Sequence, residues 1–347
     1  EKEKGIDAVL CATPDHLHAY VSLRSMRAGK HVFCEKPLTH NIAEARLVGQ
    51  VAKQSGVATQ MGNIGHSRDG IRQTCEWIWD GAIGPVREVH SWVGAGRWNK
   101  TLTGRPTESV PVPPGVNWDL WIGPAPMRPY HRAYHPATWR CFWDFGCGMM
   151  GDRGAHTLDP ICTALRLGPP TSVEATSCGN TPEVHPLSAI VTFKFPARQG
   201  FPPLKLTWYE GTRPPRPEEL EDGRHWPAEG GSLIRGAKGT IMAGVYGEGP
   251  RIIPEKKMKE VSASLPPKTI PRVKGTHEAD WVRACKSGEP AGADFAYSGP
   301  LTETCCLGNI AKRVDARIQW DASTMKVTNL PEANRYVRWE YRKGWEL

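Results

Sequence analysis

Three short stretches of this 347-residue chain carry side chains whose types and spacing suit proton transfer. In "FCEKPLTH", Glu35, Lys36 and Pro37 follow the apolar run "HVFC". Desolvation in a crevice lowers a lysine's pKa and a neighbouring carboxylate raises it, so such a lysine can be tuned to relay a proton to or from an alcohol. In "GDRGAHTLD", Asp152 and His156 stand four residues apart. On one helix they would share a face, with the carboxylate orienting the imidazole as acid or base. Asp159 could add a third donor for a metal. No further His–carboxylate cluster completes a shell, so acid–base chemistry is expected and a metal is not. In "ATPDHLHA", a strand ends at Thr13, Pro14 breaks the pairing ladder, and a helix begins near His16. Each stretch alone also reads as something ordinary: a surface ion pair, a capped helix, a strand-to-helix turn. All three in this order make the functional reading the stronger one.

The elements that must position these residues begin with alternating strands and helices. "IDAVLCA", "HVFC" and "VATQM" read as buried strands. Residues His16 to Ala28 have a helical period and stop at Gly29, and Asn41 with Glu44 forms a capping-box-like start for a helix running to Gly56. Ser67 to Asp80 reads as a third helix, and "VREVHSWV" as a fourth strand. Such repeats with short links imply parallel strands joined by right-handed crossovers. Thr13 and Lys36 would then line one crevice at the carboxyl ends of neighbouring strands, where open parallel sheets bind ligands.

From Gly96 to about Trp143 the chain is rich in Pro and Trp. So long a loop in a compact domain is usually functional, and this one is too aromatic to be a linker. "MMGDRGAHTLDPICTALRLG" then reads as one helix ended by Gly168 and Pro169. Beyond it, "AIVTFKF" and "LKLTWYE" alternate as half-buried antiparallel strands do. Two helices, Glu278 to Lys286 and Gly299 to Val314, complete the pattern. The expected fold is α/β: a partial Rossmann domain with a doubly wound parallel sheet over residues 1–94, followed over 95–347 by an α+β domain with a large open, mostly antiparallel sheet. The Pro/Trp-rich insertion at 96–143 belongs to the second domain.

Composition narrows the function classes. Charged residues make up 23% and apolar classes 39%, as in globular chains. No run of apolar residues is long enough to span a membrane. The net charge of +8 is scattered, and the longest basic cluster, "PEKKMKE", is short and flanked by Glu, so no nucleic-acid partner is expected. The ten cysteines are irregular and form no C-x-x-C. Cys11, Cys34 and Cys162 sit in apolar runs as small hydrophobes, so reduced thiols and no zinc site are expected.

Taken together, "TPDHLHAYVSLRSMRAGKHVFCEKPL", "GDRGAHTLD", "GSLIRGAKGTI" and "EADWVRACKSGEP" resemble the Gfo/Idh/MocA family of NAD(P)-dependent sugar and cyclitol dehydrogenases, over essentially the whole chain. The resemblance implies NAD or NADP as cofactor. Thr13 and Pro14 would contact the dinucleotide with His18 nearby, and Glu35 would bind a ribose hydroxyl. Lys36 would bridge the nicotinamide ribose and the substrate hydroxyl. Asp152 and His156 would bind substrate, with His156 or Lys36 as the acid or base, and Asn63 matches the family's strand-end Asn. It implies a small-molecule carbohydrate substrate and a homodimer or homotetramer. Two departures stand out. Ile64 and Gly65 replace the family's basic residues after that Asn, and no G-x-G-x-x-G follows an early strand. The chain is therefore expected to continue upstream, and to bind cofactor poorly without the pyrophosphate cradle. The insertion resembles a subgroup common in polysaccharide-degrading bacteria, whose relatives often carry an export signal, so both the cytoplasm and export to the periplasm after folding stay open. Three activities are weighed: a dehydrogenase, an NAD-dependent glycoside hydrolase cycling through oxidation, elimination and reduction, and a non-catalytic dinucleotide- or sugar-binding homologue.

Overall fold

The computed structural model describes residues 3–94, 99–136 and 138–347. The first residues of the expected insertion, 96–98, lie outside them.

The chain opens with β1 (Ala8–Cys11), α1 (His18–Arg27), β2 (His31–Cys34), α2 (Ile42–Ser55), β3 (Thr59–Met61) and α3 (Asp69–Trp79). The three strands form one parallel sheet in the order β1-β2-β3. Helix α2 starts where its sequence says. Glu44 N–H donates to Asn41 Oδ1 at 3.0 Å, Asn41 N–H donates to Glu44 Oε2 at 3.2 Å, and Gly56 closes the helix at φ 66°.

Next come β4 (Val86–Val93), a short α4 (Trp118–Ile122), then α5 (Gly148–Asp152), α6 (Gly154–Thr157) and α7 (Asp159–Ala164). The single helix expected over this last stretch is three short ones. Gly151 and Gly154 weaken it, and Pro160, at the start of α7, has no N–H to donate back to His156. Strand β4 also differs from expectation. It continues the strand pattern of the parallel unit but lies inside the second sheet, since periodicity identifies a strand and not its partner.

That second sheet is built from β4 with β5 (Ser172–Cys178), β6 (Ser188–Phe195), β7 (Leu204–Glu210), β8 (Gly230–Gly236), β9 (Gly239–Gly244) and β10 (Arg251–Ile253). After α8 (Glu255–Val261), α9 (His277–Ser287) and α10 (Phe295–Val314), the strands β11 (Arg317–Asp321) and β12 (Lys326–Val327) complete it. The order is β10-β9-β8-β4-β7-β6-β5-β11-β12, antiparallel throughout except β4 against β7. Val191, Phe193 and Phe195 face inward as their alternation predicts. They join one continuous core with α10, the 148–164 helices and the parallel unit. On the other face, Trp226 and Leu220 from the segment between β7 and β8 cover Trp92, Leu233 and Met242. No helix among the described residues is long and apolar enough to cross a membrane.

Candidate active site

The carboxyl ends of β1, β2 and β3 lie side by side, so Thr13, Glu35-Lys36 and Asn63 come together as the crevice geometry requires. His18 is buried behind them. Its Nε2 lies 2.8 Å from the Thr13 carbonyl and its Nδ1 lies 2.7 Å from that of Pro37. The ring thus staples the loops after β1 and β2. Glu35 lies against Gly62, where a Cβ would come within 2.6 Å of Glu35 Oε2. Pro14 precedes the turn Asp15–Leu17 that leads into α1.

The helices after the insertion deliver the rest. Lys36 Nζ makes an ion pair with Asp152 Oδ1. Arg140 Nε lies 3.9 Å from the same oxygen, and Arg153 Nε lies 3.8 Å from Asp152 Oδ2. Burial works against the charge on Asp152. The positive charges of Lys36, Arg140 and Arg153 outweigh it and hold the carboxyl below its usual range. His156 is buried, and its Nδ1 has no hydrogen-bond partner among the described residues. Its pKa is lowered to about 3, first by burial and then by the Lys36 charge. A neutral imidazole with a buried, unpartnered nitrogen therefore stands beside an ammonium–carboxylate pair. Asp152 spends its carboxylate on Lys36 and does not orient the imidazole in the way sequence spacing suggested. The His156 ring instead packs edge-on against Tyr246 at 4.8 Å. Arg153 Nη1 donates to the Tyr246 hydroxyl at 3.1 Å, and the Arg68 guanidinium lies 4.9 Å from the centre of that ring.

Asp159 points elsewhere. It takes a bond from His66 Nδ1 at 2.8 Å and another from the Tyr297 hydroxyl, away from the Lys36 pair. Arg140, Arg153 and Tyr246 were not singled out by sequence. Arg153 lies inside the "GDRGAHTLD" stretch; Arg140 and Tyr246 sit on loops that no local pattern marks. Arg140 belongs to the turn Trp139–Cys141 at the end of the insertion and also reaches Asp15 Oδ1 at 3.6 Å. The insertion is itself packed. Trp118 and Trp121 stack at 4.8 Å, and Trp121 lies 5.0 Å from Phe145 and 5.5 Å from His16.

A dinucleotide fits part of this crevice. Asn63 is fully buried, yet neither atom of its amide group has a partner among the described residues. A polar ligand at the strand ends would supply one. The spacing G-x-G-x-x-G does occur at Gly146-Cys147-Gly148-Met149-Met150-Gly151, but these glycines are packing positions. A Cβ on Gly146 would strike the Arg140 backbone, one on Gly148 the His185 ring, and one on Gly151 the Cys147 side chain. Thr13, Glu35, Lys36 and Asn63 thus gather polar groups at the strand ends, while among the described residues no glycine turn after β1, β2 or β3 cradles a pyrophosphate.

Comparison with known proteins bears on the family and the fold. Residues 1–63 match the NAD-binding Rossmann fold of the Gfo/Idh/MocA oxidoreductases, and residues 77–193 match the C-terminal alpha/beta domain of the same family. Between them the two matches cover just over half of the chain. The chain belongs to the Gfo/Idh/MocA oxidoreductase family. Within it, the chain is 31% identical over 88 residues to a 2,7-anhydro-N-acetylneuraminate hydratase of Escherichia coli, a match covering 25% of this chain and 24% of that protein. It is 36% identical over 61 residues to a scyllo-inositol 2-dehydrogenase (NAD(+)) of Bacillus subtilis, covering 18% of each. These matches span a quarter or less of the relatives' length. A solved structure of similar fold is the WlbA dehydrogenase of Bordetella pertussis in complex with NADH and UDP-GlcNAcA. It has a TM-score of 0.59 at 18% identity and covers 91% of this chain and 79% of that one.

Proposed function

We propose that this protein is an NAD(P)-dependent oxidoreductase acting on a secondary alcohol of a sugar, glycoside or cyclitol. One observation carries the reading: Lys36, paired with Asp152, and a neutral His156 whose Nδ1 has no partner among the described residues converge at the strand ends beside Glu35 and Asn63. The nicotinamide, when bound, supplies the hydride acceptor. Glu35 and Asn63 position its ribose end, and Thr13 and Pro14 line the strand end next to it. The Lys36 ammonium, held in place by Asp152, meets the substrate hydroxyl and stabilises the negative charge that grows as its proton leaves. The proton passes to His156 Nδ1. Arg140 and Arg153 face the remaining hydroxyls. Relatives named for cyclitol and sugar substrates support the substrate class.

The relative named as a hydratase favours keeping a second reading, in which the redox steps cancel and the net reaction is not an oxidation. The test is to incubate the full chain with NAD or NADP and a panel of glycosides, free sugars and cyclitols, following NADH absorbance and separating the products. Net NADH with a keto product is the expected result. Free aglycone without net NADH would replace the dehydrogenase with the redox-cycling hydrolase. Ligand-induced stabilisation with no turnover on any compound would replace both with a binding protein.

A further inference from the structure

Cys11 ends β1 and Cys34 ends β2, and the register pairs them directly: Cys11↔Cys34. Paired residues on neighbouring parallel strands point their side chains to the same face. Strands lie about 4.8 Å apart, within the roughly 4.4–6.8 Å between Cα atoms that a disulfide spans. The two sulfurs and a nitrogen of His18 lie within 4.8 Å of one another. His18 faces a carbonyl oxygen with each ring nitrogen, which fixes the ring beside the two sulfurs. Cys11 Sγ is also 3.4 Å from the Thr13 hydroxyl.

These surroundings divide the two thiols. The Cys34 thiol bonding to Cys11 lowers the latter's pKa most. Burial opposes this, and the His18 charge and the Thr13 contacts then bring Cys11 to about 5. Cys34 is pushed the other way, first by burial. Cys11 is thus the more acidic of two facing thiols, the arrangement of an attacking and a resolving cysteine. A metal suits the cluster less well. An ion would have to displace one of the two carbonyls from His18, and the cluster offers three donors where a structural zinc site takes four.

We propose that Cys11 and Cys34 form a peroxide-sensitive thiol pair that closes to a disulfide beneath the ligand-facing ends of β1 and β2. The Cys11 thiolate attacks one oxygen of hydrogen peroxide, the O–O bond breaks, hydroxide leaves, and Cys11 becomes a sulfenic acid. The Cys34 sulfur then attacks the Cys11 sulfur, its proton leaves with the sulfenic hydroxyl as water, and the S–S bond forms. The two sulfurs lose two electrons in all and the peroxide gains them. A dithiol reverses the step. Cys11 is itself buried, and the chain runs on from it through the solvent-exposed Ala12 to the half-buried Thr13. Thr13 lies two residues beyond Cys11 and Lys36 two beyond Cys34, so the bond ties together the stems of both. The thiol chemistry stands apart from the proposed reaction.

The test uses the full chain, reduced, freed of reductant and treated with a small excess of hydrogen peroxide. Remaining thiols are alkylated after denaturation and the digest is read by mass spectrometry. The expected product is a Cys11–Cys34 cross-linked peptide two hydrogens lighter than its parts, reversed by dithiothreitol, formed before the exposed Cys178 is oxidised. In Cys34→Ser, the expected product is a sulfenic acid at Cys11 that dimedone traps. Oxidation of Cys178 while Cys11 and Cys34 stay fully alkylated would overturn the proposal. So would one equivalent of zinc in the purified protein that shields both thiols from peroxide.

Discussion

Two lysine–carboxylate pairs in this protein differ in what surrounds them. Lys312 on α10 and Glu210 at the end of β7 meet at 2.7 Å, with both side chains at 0% exposure. Lys36 and Asp152 meet at the carboxyl end of β2, with side chains 19% and 11% exposed. The first pair is sealed between helix and sheet, and a substrate cannot reach it. The second is partly exposed and lies near an imidazole nitrogen and an amide that have no partner among the described residues. The same two charges therefore hold the fold together in one place and are open to a ligand in the other. Accessibility, with unmet hydrogen-bonding capacity nearby, separates the two roles.

Among substitutions that test this contrast, the largest expected effect on stability is at the sealed pair. Lys312→Met strands the Glu210 carboxylate in the core and is expected to cost about 3–5 kcal/mol. Chemical denaturation measures it, and turnover per folded molecule should not change. Adding Glu210→Leu should recover most of the loss.

The response to acid needs no substitution and sums over several histidines. Burial lowers His16 to about 4 and His40 to about 3, and pushes His185 well down. His156, at the site, is lowered to about 3 by burial and then by Lys36. Each folded value lies below the unfolded one, near 6.5, so the unfolded chain binds the extra protons once pH falls below 6.5. Stability contributed by neutral burial is present above that value and is lost toward the folded values, by about 2 kcal/mol per histidine at pH 5. Glu44, pushed up to about 7 by burial, has the opposite sign and offsets part of it. Denaturation midpoints at pH 7 and pH 5 should differ clearly; a flat profile would mean that these rings are hydrated.

The smallest effect belongs to a third ion pair. Arg317 and Glu174 meet at 2.6 Å with side chains about half exposed. Arg317→Gln should change stability by about 0–1 kcal/mol, and less in high salt.

Much of this was legible in the sequence, because local rules govern it. The Asn41/Glu44 box, the Gly56 cap and the alternation of Val191, Phe193 and Phe195 are set by residues a few positions apart. The strand ends at Thr13 and Glu35-Lys36 were legible for the same reason. What was hidden depends on long-range pairing. Nothing near Val86–Val93 says that it joins β7 and β8 instead of β3. Nothing around Arg140 or Tyr246 says that they arrive beside Asp152 and His156. The broken helix was half-visible, since Pro160 stood in the quoted stretch. Its effect was to free Asp152 from His156 and give it to Lys36.

The most direct test of the central claim is Lys36→Met in the full chain, measured for turnover, cofactor binding and thermal midpoint together. If the open pair carries the chemistry, turnover falls by about 10²–10⁴-fold. The midpoint should stay close to that of the parent, because Arg140 and Arg153 still face Asp152. Full turnover in that variant would contradict the account and leave Lys36 an ordinary ion-pair partner.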